Sequence, residues 1–352
     1  MSGNSPDQKH RAGMLPEEFF FSVIGLEHGH IYGMTRALLD AGAKLRFVWD
    51  QDAAKRAAFH KAFPQAQTAR CEDEILGDHP TRLVAAAAIP CERCALGMRV
   101  MDAGKDYFTD KAPCTTLAQL EQAREAVRAT KRKYMVYYSE RLHSEASVLA
   151  QRLIEAGEIG RVIHMEGFGP HRLAAPTRPD WFFDKAQYGG ILCDIGSHQI
   201  EQFLFYTGEE DARVDAARTA NYAHPHAPGL EDFGDCMLTG AGGATGYFRV
   251  DWFTPDGLSS WGDGRTFILG TEGYMELRKN VDISHGRGDQ VYVVNRRGER
   301  RMDAAGQTGY PFFSELLLDC IRRTERAMTQ EHAFRAAELC LRAQAMADAS
   351  KC

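Results

Sequence analysis

What most constrains this chain is an alternation, from residue 19 to about 139, of short apolar runs with stretches of helical period. "FFFSVIG", "KLRFVWD", "TRLVAAAAIP", "DYFTDK" and "KYMVYYS" read as strands. "YGMTRALLDAG", stopped by Gly42, "QDAAKRAAFHKAF" and "CERCALGMRVMDAG" read as the intervening helices. So does "LAQLEQAREAVRAT", with Thr116 and Gln119 at capping-box spacing before it. Strands that alternate with helices pair in parallel through right-handed crossovers. The expectation for 19–139 is therefore a doubly wound α/β domain with a parallel sheet.

Beyond residue 139 the rhythm changes. A helix "SEASVLAQRLIEAGEIG", a strand "RVIHMEGFG" and a Pro-rich loop lead to one expected helix, "ILCDIGSHQIEQFLFYT", ending at Gly208. Four strand-like segments with glycine turns such as "TGAGGATG" and "GTEG" follow, then C-terminal helices, which reads as an α+β domain with a mostly antiparallel open sheet over 140–352. Residues 1–18 are polar, lack the apolar core of a signal peptide and read as a disordered leader.

The formal net charge of −6 argues against a nucleic-acid partner, which would demand a basic face. No apolar run approaches the roughly 18–20 residues that cross a bilayer, so no membrane partner is expected. Nine scattered cysteines fit reduced thiols in a cytoplasm better than a disulfide framework.

The chemistry concentrates in three places. "VIGLEHGHIYGM" stands where a dinucleotide-binding loop belongs, but only Gly25 is in register, with Glu27 and His30 at the other two glycine positions and Gly29 nearby. Asp50 ends the second strand, 25 residues after Gly25, where an acid accepts from an adenosine ribose 2′-hydroxyl and repels a 2′-phosphate. That favours NAD over NADP; the alternative for Asp50 is a helix N-cap. Lys111, in "TDKAP", ends a parallel strand at the carboxyl edge, where open sheets bind ligands. Asp194 and His198 lie four apart on the expected helix, on one face, as a carboxylate and a general acid/base.

Other polar groups carry weaker signals. His28 and His30 have i,i+2 spacing and no nearby third ligand, so no metal is assigned, nor to His224 and His226 in "HPH". Cys91 and Cys94 in "CERC" read as two helix-start thiols. His171, Arg172, Trp181 and Tyr188, in the loop before the Asp194 helix, are candidate substrate contacts. Arg141, in "YSERLH", either reaches the crevice or makes a structural salt bridge.

Together these positions resemble the Gfo/Idh/MocA family of NAD(P)-dependent oxidoreductases. Asp110-Lys111, with Ala112 before Pro113, is similar to the family's Glu-Lys-Pro. Tyr188-Gly189-Gly190 leading to Asp194 and His198 resembles Gly-Gly-Gly-x-x-x-Asp-x-x-x-His. "AAIPCERC" is similar to the Ala-Thr-Pro strand end, with Cys94 where a histidine is common, and "LIEAGEIGRV" to the Gly-x-Ile-Gly approach to the second domain.

The resemblance implies a dehydrogenase acting on a hydroxyl of a sugar, polyol or related cyclic alcohol, in a homo-oligomer, dimer or tetramer. It implies Lys111, His198 and Asp194 as catalytic residues, Asp194 and His198 also touching substrate. Cofactor contacts are implied for Gly25, Leu26, Glu27, His28, Gly29, His30, Asp50, Ile89, Pro90, Asp110 and Lys111. The alternatives are an NAD-dependent glycosidase or lyase that oxidises its sugar transiently, and a non-catalytic dinucleotide or sugar sensor.

Overall fold

The computed structural model describes residues 15–350. Most of the expected leader, 1–14, lies outside the described residues. Of the remainder, Leu15 packs against the core beside Gly42, and Glu17 and Glu18 pair with Arg82 and Lys44.

The first sheet has six parallel strands: β1 (Phe20–Leu26), β2 (Lys44–Trp49), β3 (Gln67–Thr68), β4 (Thr81–Ala87), β5 (Asp106–Asp110) and β6 (Tyr134–Tyr137). Their order is β3-β2-β1-β4-β5-β6, the doubly wound arrangement expected from the alternation. Its helices are α1 (His30–Asp40), α2 (Ala53–Ala62), α3 (Glu72–Gly77), α4 (Pro90–Asp102) and α5 (Leu117–Thr130). β3 and α3 have no counterpart among the expected elements: a two-residue strand and a six-residue helix are too short to show a period. Thr116 caps α5 by accepting from Gln119 N (3.1 Å). The reciprocal half of the box is displaced, because Gln119 Oε1 accepts from Thr115 N (2.8 Å) instead.

After β6 come α6 (Ser139–Leu142), α7 (Glu145–Glu155), β7 (Val162–Pro170) and α8 (Lys185–Tyr188). The single helix expected next is divided into α9 (Ile191–Asp194) and α10 (Gly196–Thr207), with Ile195 at the break. The four strand-like segments yield seven strands: β8 (Ala212–Ala220), β9 (Phe233–Gly240), β10 (Thr245–Asp251), β11 (Arg265–Gly270), β12 (Gly273–Arg278), β13 (Gln290–Asn295) and β14 (Gly298–Asp303). Three of those segments are hairpins folded at their glycines. The sheet runs β14-β13-β12-β11-β7-β10-β9-β8, antiparallel throughout except between β7 and β10. Helices α11 (Pro311–Arg322) and α12 (Gln330–Ala349) close the chain.

One packing detail positions the site. Gly167 and Gly169 on β7 and Gly246 on β10 leave bare backbone under α10. A Cβ on Gly167 would collide with the Gln199 amide, and one on Gly246 would stand 2.6 Å from the Phe203 ring. α10 therefore lies close on the sheet, with Ser197 to Gln202 fully enclosed, and His198 sits at a fixed height above β7.

Candidate active site

Gly25 makes the turn from β1 with φ +83°, and a Cβ there would press to 3.1 Å on Ala88 of the β4–α4 loop. Only glycine meets both demands. Beside this turn opens a cleft of about 860 Å³, lined among others by Glu27, Asp50, Lys55, Ala88, Ile89 and Cys91. It adjoins the carboxyl edge of the parallel sheet, where a dinucleotide is bound in such folds. Its outline and the Gly25 turn suit that cofactor.

The polar groups of the loop are committed in ways the sequence did not reveal. The Glu27 and His28 N–H groups both donate to the Ala87 carbonyl (3.0 and 3.1 Å). Gly29, the N-cap of α1, has open space in front of it. The Glu27 carboxylate is neutralised by Lys55 (2.5 Å) and accepts from Trp181 Nε1 (3.1 Å). Asp50 accepts from Leu26 N (2.6 Å) and Asp52 N (2.8 Å), so it braces the strand end. The N-cap of α2 is Asp52 rather than Asp50. A carboxylate has about four acceptor positions, so Asp50 keeps capacity for a ribose hydroxyl.

His28 and His30, expected to have no third group nearby, do have one. Asp110, from the end of β5, reaches both Nδ1 atoms, at 3.0 Å for His28 and 2.8 Å for His30. The three could converge on a cation. Two neighbours oppose that: Arg93 also touches Asp110 (3.4 Å), and Lys111 N donates to it (2.8 Å). Burial alone would raise the Asp110 carboxyl, but His30, Arg93 and His28 hold it well below the usual range. The guanidinium of Arg93 also binds the Lys111 and Ala112 carbonyls, fixing the backbone that carries Lys111. The Lys111–Ala112 peptide is cis.

Lys111 and Asp194, one from each sheet's layer, form a buried ion pair. Asp194, expected to act with His198, pairs with Lys111 instead. Burial would raise Asp194, and Lys111 brings it below the ordinary carboxylate range. His198 is 1% exposed and its Nδ1 has no hydrogen-bond partner. Burial drives its pKa down to about 3; Glu140 is the foremost charge opposing this, while Lys111, His30 and His171 reinforce it. The carboxylate that acts on His198 is thus Glu140, on α6.

The loop candidates separate cleanly. His171 lies in the same pocket. Burial lowers its pKa to about 4, Glu140 and Asp194 pull it upward, and its ring packs 4.5 Å from Trp261 and 5.5 Å from Trp252. Arg172 instead clamps the 255–260 loop through the carbonyls of Pro255 (3.0 Å), Leu258 (2.7 Å) and Ser260 (2.9 Å). Tyr188 spends its hydroxyl on Gly229 O (3.2 Å) and Glu231 N (2.9 Å). Trp181 bridges to Glu27, and Arg141 makes the structural salt bridge, to Glu201 (2.7 and 2.9 Å). Ile89 and Pro90 start α4, with Pro90 at its first position. Cys94 is buried on Gln119 O with its thiol pushed up to about 11, which is not the profile of a redox cysteine. His224 pairs with buried Asp232 (2.9 Å), far in sequence from the cleft residues.

Three imidazoles, His198 buried and His28 and His171 largely enclosed, give a pH signature. His28 is lowered to about 4 by burial and by His30, alongside His171 and His198. Unfolded, each would titrate near 6.5, so between roughly pH 6.5 and 4 the unfolded chain binds more protons. Stability is full above pH 6.5 and falls as pH descends through that window. Thermal unfolding at half-unit steps from pH 8 to 4 is expected to show Tm flat above about 6.5 and dropping steeply below. A flat profile down to pH 4.5 would mean these rings are not held neutral.

A doubly wound parallel sheet beside a large, mostly antiparallel open sheet, with Lys111 at the edge of one paired to Asp194 on the other, defines a Rossmann-type fold with a second α+β layer. The profile of the GFO/IDH/MocA C-terminal domain matches residues 148–276. A crystal structure of a candidate oxidoreductase from Erwinia carotovora atroseptica SCRI1043 superposes with a TM-score of 0.92 at 53% identity, covering 94% of this chain and 99% of that one. The scyllo-inositol 2-dehydrogenase (NAD(+)) of Bacillus subtilis is 29% identical over 207 residues, 56% of each chain. Levoglucosan dehydrogenase, in complex with NADH and levoglucosan, shares the fold, with a TM-score of 0.79 at 19% identity over 96% of this chain and 98% of that one. The chain spans about half the length of the curated relatives it matches. It belongs to the GFO/IDH/MocA family.

Proposed function

We propose that the protein is an NAD-dependent oxidoreductase that moves hydride between nicotinamide and a hydroxyl-bearing carbon of a sugar, polyol or related cyclic alcohol. The observation that carries this reading is the Lys111–Asp194 pair set beside a buried, neutral His198 at the carboxyl edge of the parallel sheet. NAD, when bound, supplies the hydride acceptor. His198, neutral over the working pH range, takes the proton of the substrate hydroxyl. Lys111 stabilises the negative charge that develops on that oxygen, and Asp194 orients Lys111 and accepts from a neighbouring hydroxyl. Enclosure of the three keeps water from competing for the charge. The relatives described above, acting on an inositol and on levoglucosan, support the substrate class.

The test is an absorbance assay with purified protein, NAD and a panel of cyclic polyols, pyranoses and glycosides. NADH formation with at least one polyol supports the reading. Glycoside cleavage without NADH would replace it with transient redox chemistry.

Asp50, Asp52, Glu72 and Glu92 around the cleft favour NAD over NADP, because a 2′-phosphate would meet them. Tryptophan quenching is expected to give a Kd for NADH about 10-fold or more below that for NADPH, a difference of about 1.4 kcal/mol. Equal affinities would contradict the role given to these acids.

No helix among the described residues is long and apolar enough to cross a membrane. The open face of the large sheet carries exposed Met237 and a stacked Phe267–Tyr274 pair (5.1 Å). That face supports a homo-oligomer, dimer or tetramer.

A further inference from the structure

Glu140 was absent from every sequence-based expectation, yet it is the most constrained acid near His198. Its Oε2 accepts from Lys279 Nζ (2.7 Å) and from Gln199 Nε2 (2.8 Å). Its Oε1 is buried with no hydrogen-bond partner. From the loop, His171 Nε2 stands 4.0 Å from it. His171 Nδ1 donates to the Gly169 carbonyl (3.1 Å), so the neutral ring turns a lone pair, not a proton, toward Glu140.

One buried acceptor, Glu140 Oε1, therefore faces a gap beside the His171 ring without a donor. Buried acceptors are rarely left so, because desolvation without a hydrogen bond is costly. Gln199, which holds Glu140, follows His198 on α10, so this gap lies next to the proposed catalytic imidazole, and both His171 and His198 sense the charges of Glu140 and Lys111. Trp261, half exposed and 4.5 Å from His171, offers a flat apolar wall beside it. A ligand suited to this place brings hydroxyl donors on a ring with an apolar face.

We propose that Glu140, held by Lys279 and Gln199, accepts a second hydroxyl of the substrate, making it a specificity-determining residue for polyhydroxylated rings over simple alcohols. The inference rests on the redox reading above. A hydroxyl placed between Glu140 Oε1 and His171 Nε2 donates to the carboxylate, the stronger acceptor, and displaces solvent there. A site built to receive a hydroxyl rejects the analogue that lacks it far more strongly than a pocket that merely accommodates one.

The experiment compares kcat/KM for the best cyclic polyol or pyranose of the panel with each of its monodeoxy analogues and with cyclohexanol. Wild-type protein is expected to disfavour one monodeoxy analogue by about 10²-fold or more. Glu140→Gln, which keeps shape and the Gln199 and Lys279 neighbours, is expected to raise KM for the parent polyol and narrow that preference about tenfold. The double variant Glu140→Leu with Lys279→Met removes the buried pair together and is expected to erase the preference while NADH binding stays native. Unchanged discrimination in Glu140→Gln overturns the proposal, leaving the gap to solvent. Cyclohexanol oxidised as well as polyols by wild type also overturns it and leaves the redox reading standing. Failure of wild type to oxidise any compound of the panel overturns both.

Discussion

Lys111→Ala is expected to lower kcat/KM by about 10²- to 10³-fold, the loss seen when a single donor to a developing oxyanion is removed. The effect belongs to kcat rather than KM, because the ammonium meets its full counter-charge only as the substrate oxygen becomes an alkoxide. Lys111 is enclosed, so its charge acts through little water. Its removal strands the Asp194 carboxylate, whose pKa then rises because the ammonium no longer opposes burial. Lys111→Ala/Asp194→Asn removes both charges and is expected to be as inactive as the single variant yet more stable, separating chemistry from folding. Steady-state kinetics together with Tm decide the matter. A Lys111→Ala rate within threefold of wild type would contradict the assignment.

Arg141→Ala is expected to cost about 3–5 kcal/mol of stability, the range for breaking one side of a buried ion pair. Arg141 Nε lies within hydrogen-bonding distance of both Glu201 oxygens, and its guanidinium stacks 3.7 Å from the Phe205 ring centroid. Glu201 is fully buried and also binds His332 (3.0 Å), so the pair ties α6 to α10 and α12. α10 carries His198, yet Arg141 touches no cleft residue. The urea midpoint is therefore expected to fall sharply while kcat of the folded fraction changes less than threefold. A native midpoint would show that the pair adds nothing. A large kcat loss without destabilisation would return Arg141 to the crevice.

Much of this was legible from the chain because it is local. β1, β2, β4, β5 and β6 declare themselves as apolar runs, the helices between them as periods of 3.6, and Gly42, with φ +98°, ends α1 as expected. Hairpin glycines divide the later segments, and Lys111 directly follows the carboxyl end of β5. What stayed hidden is long-range. Asp110 lies 80 residues from His30, Trp181 lies 154 from Glu27, and Lys279 lies 139 from Glu140. No spacing rule links such pairs. Glu140 left one faint trace, an acid in the apolar junction "YMVYYSERL". The i,i+4 rule misdirected Asp194 toward His198, because the helix breaks at Ile195 and a lysine from the other sheet's edge offers a full charge.

The central claim is that hydride leaves the carbon whose hydroxyl His198 and Lys111 hold. The most direct measurement incubates the protein with NAD and the preferred polyol deuterated at the reacting carbon, followed by mass spectrometry of the reduced cofactor. One deuterium per NADH, with a slowed rate, is the expected result. Reduced cofactor without deuterium, or substrate consumed with no reduced cofactor formed, would contradict it.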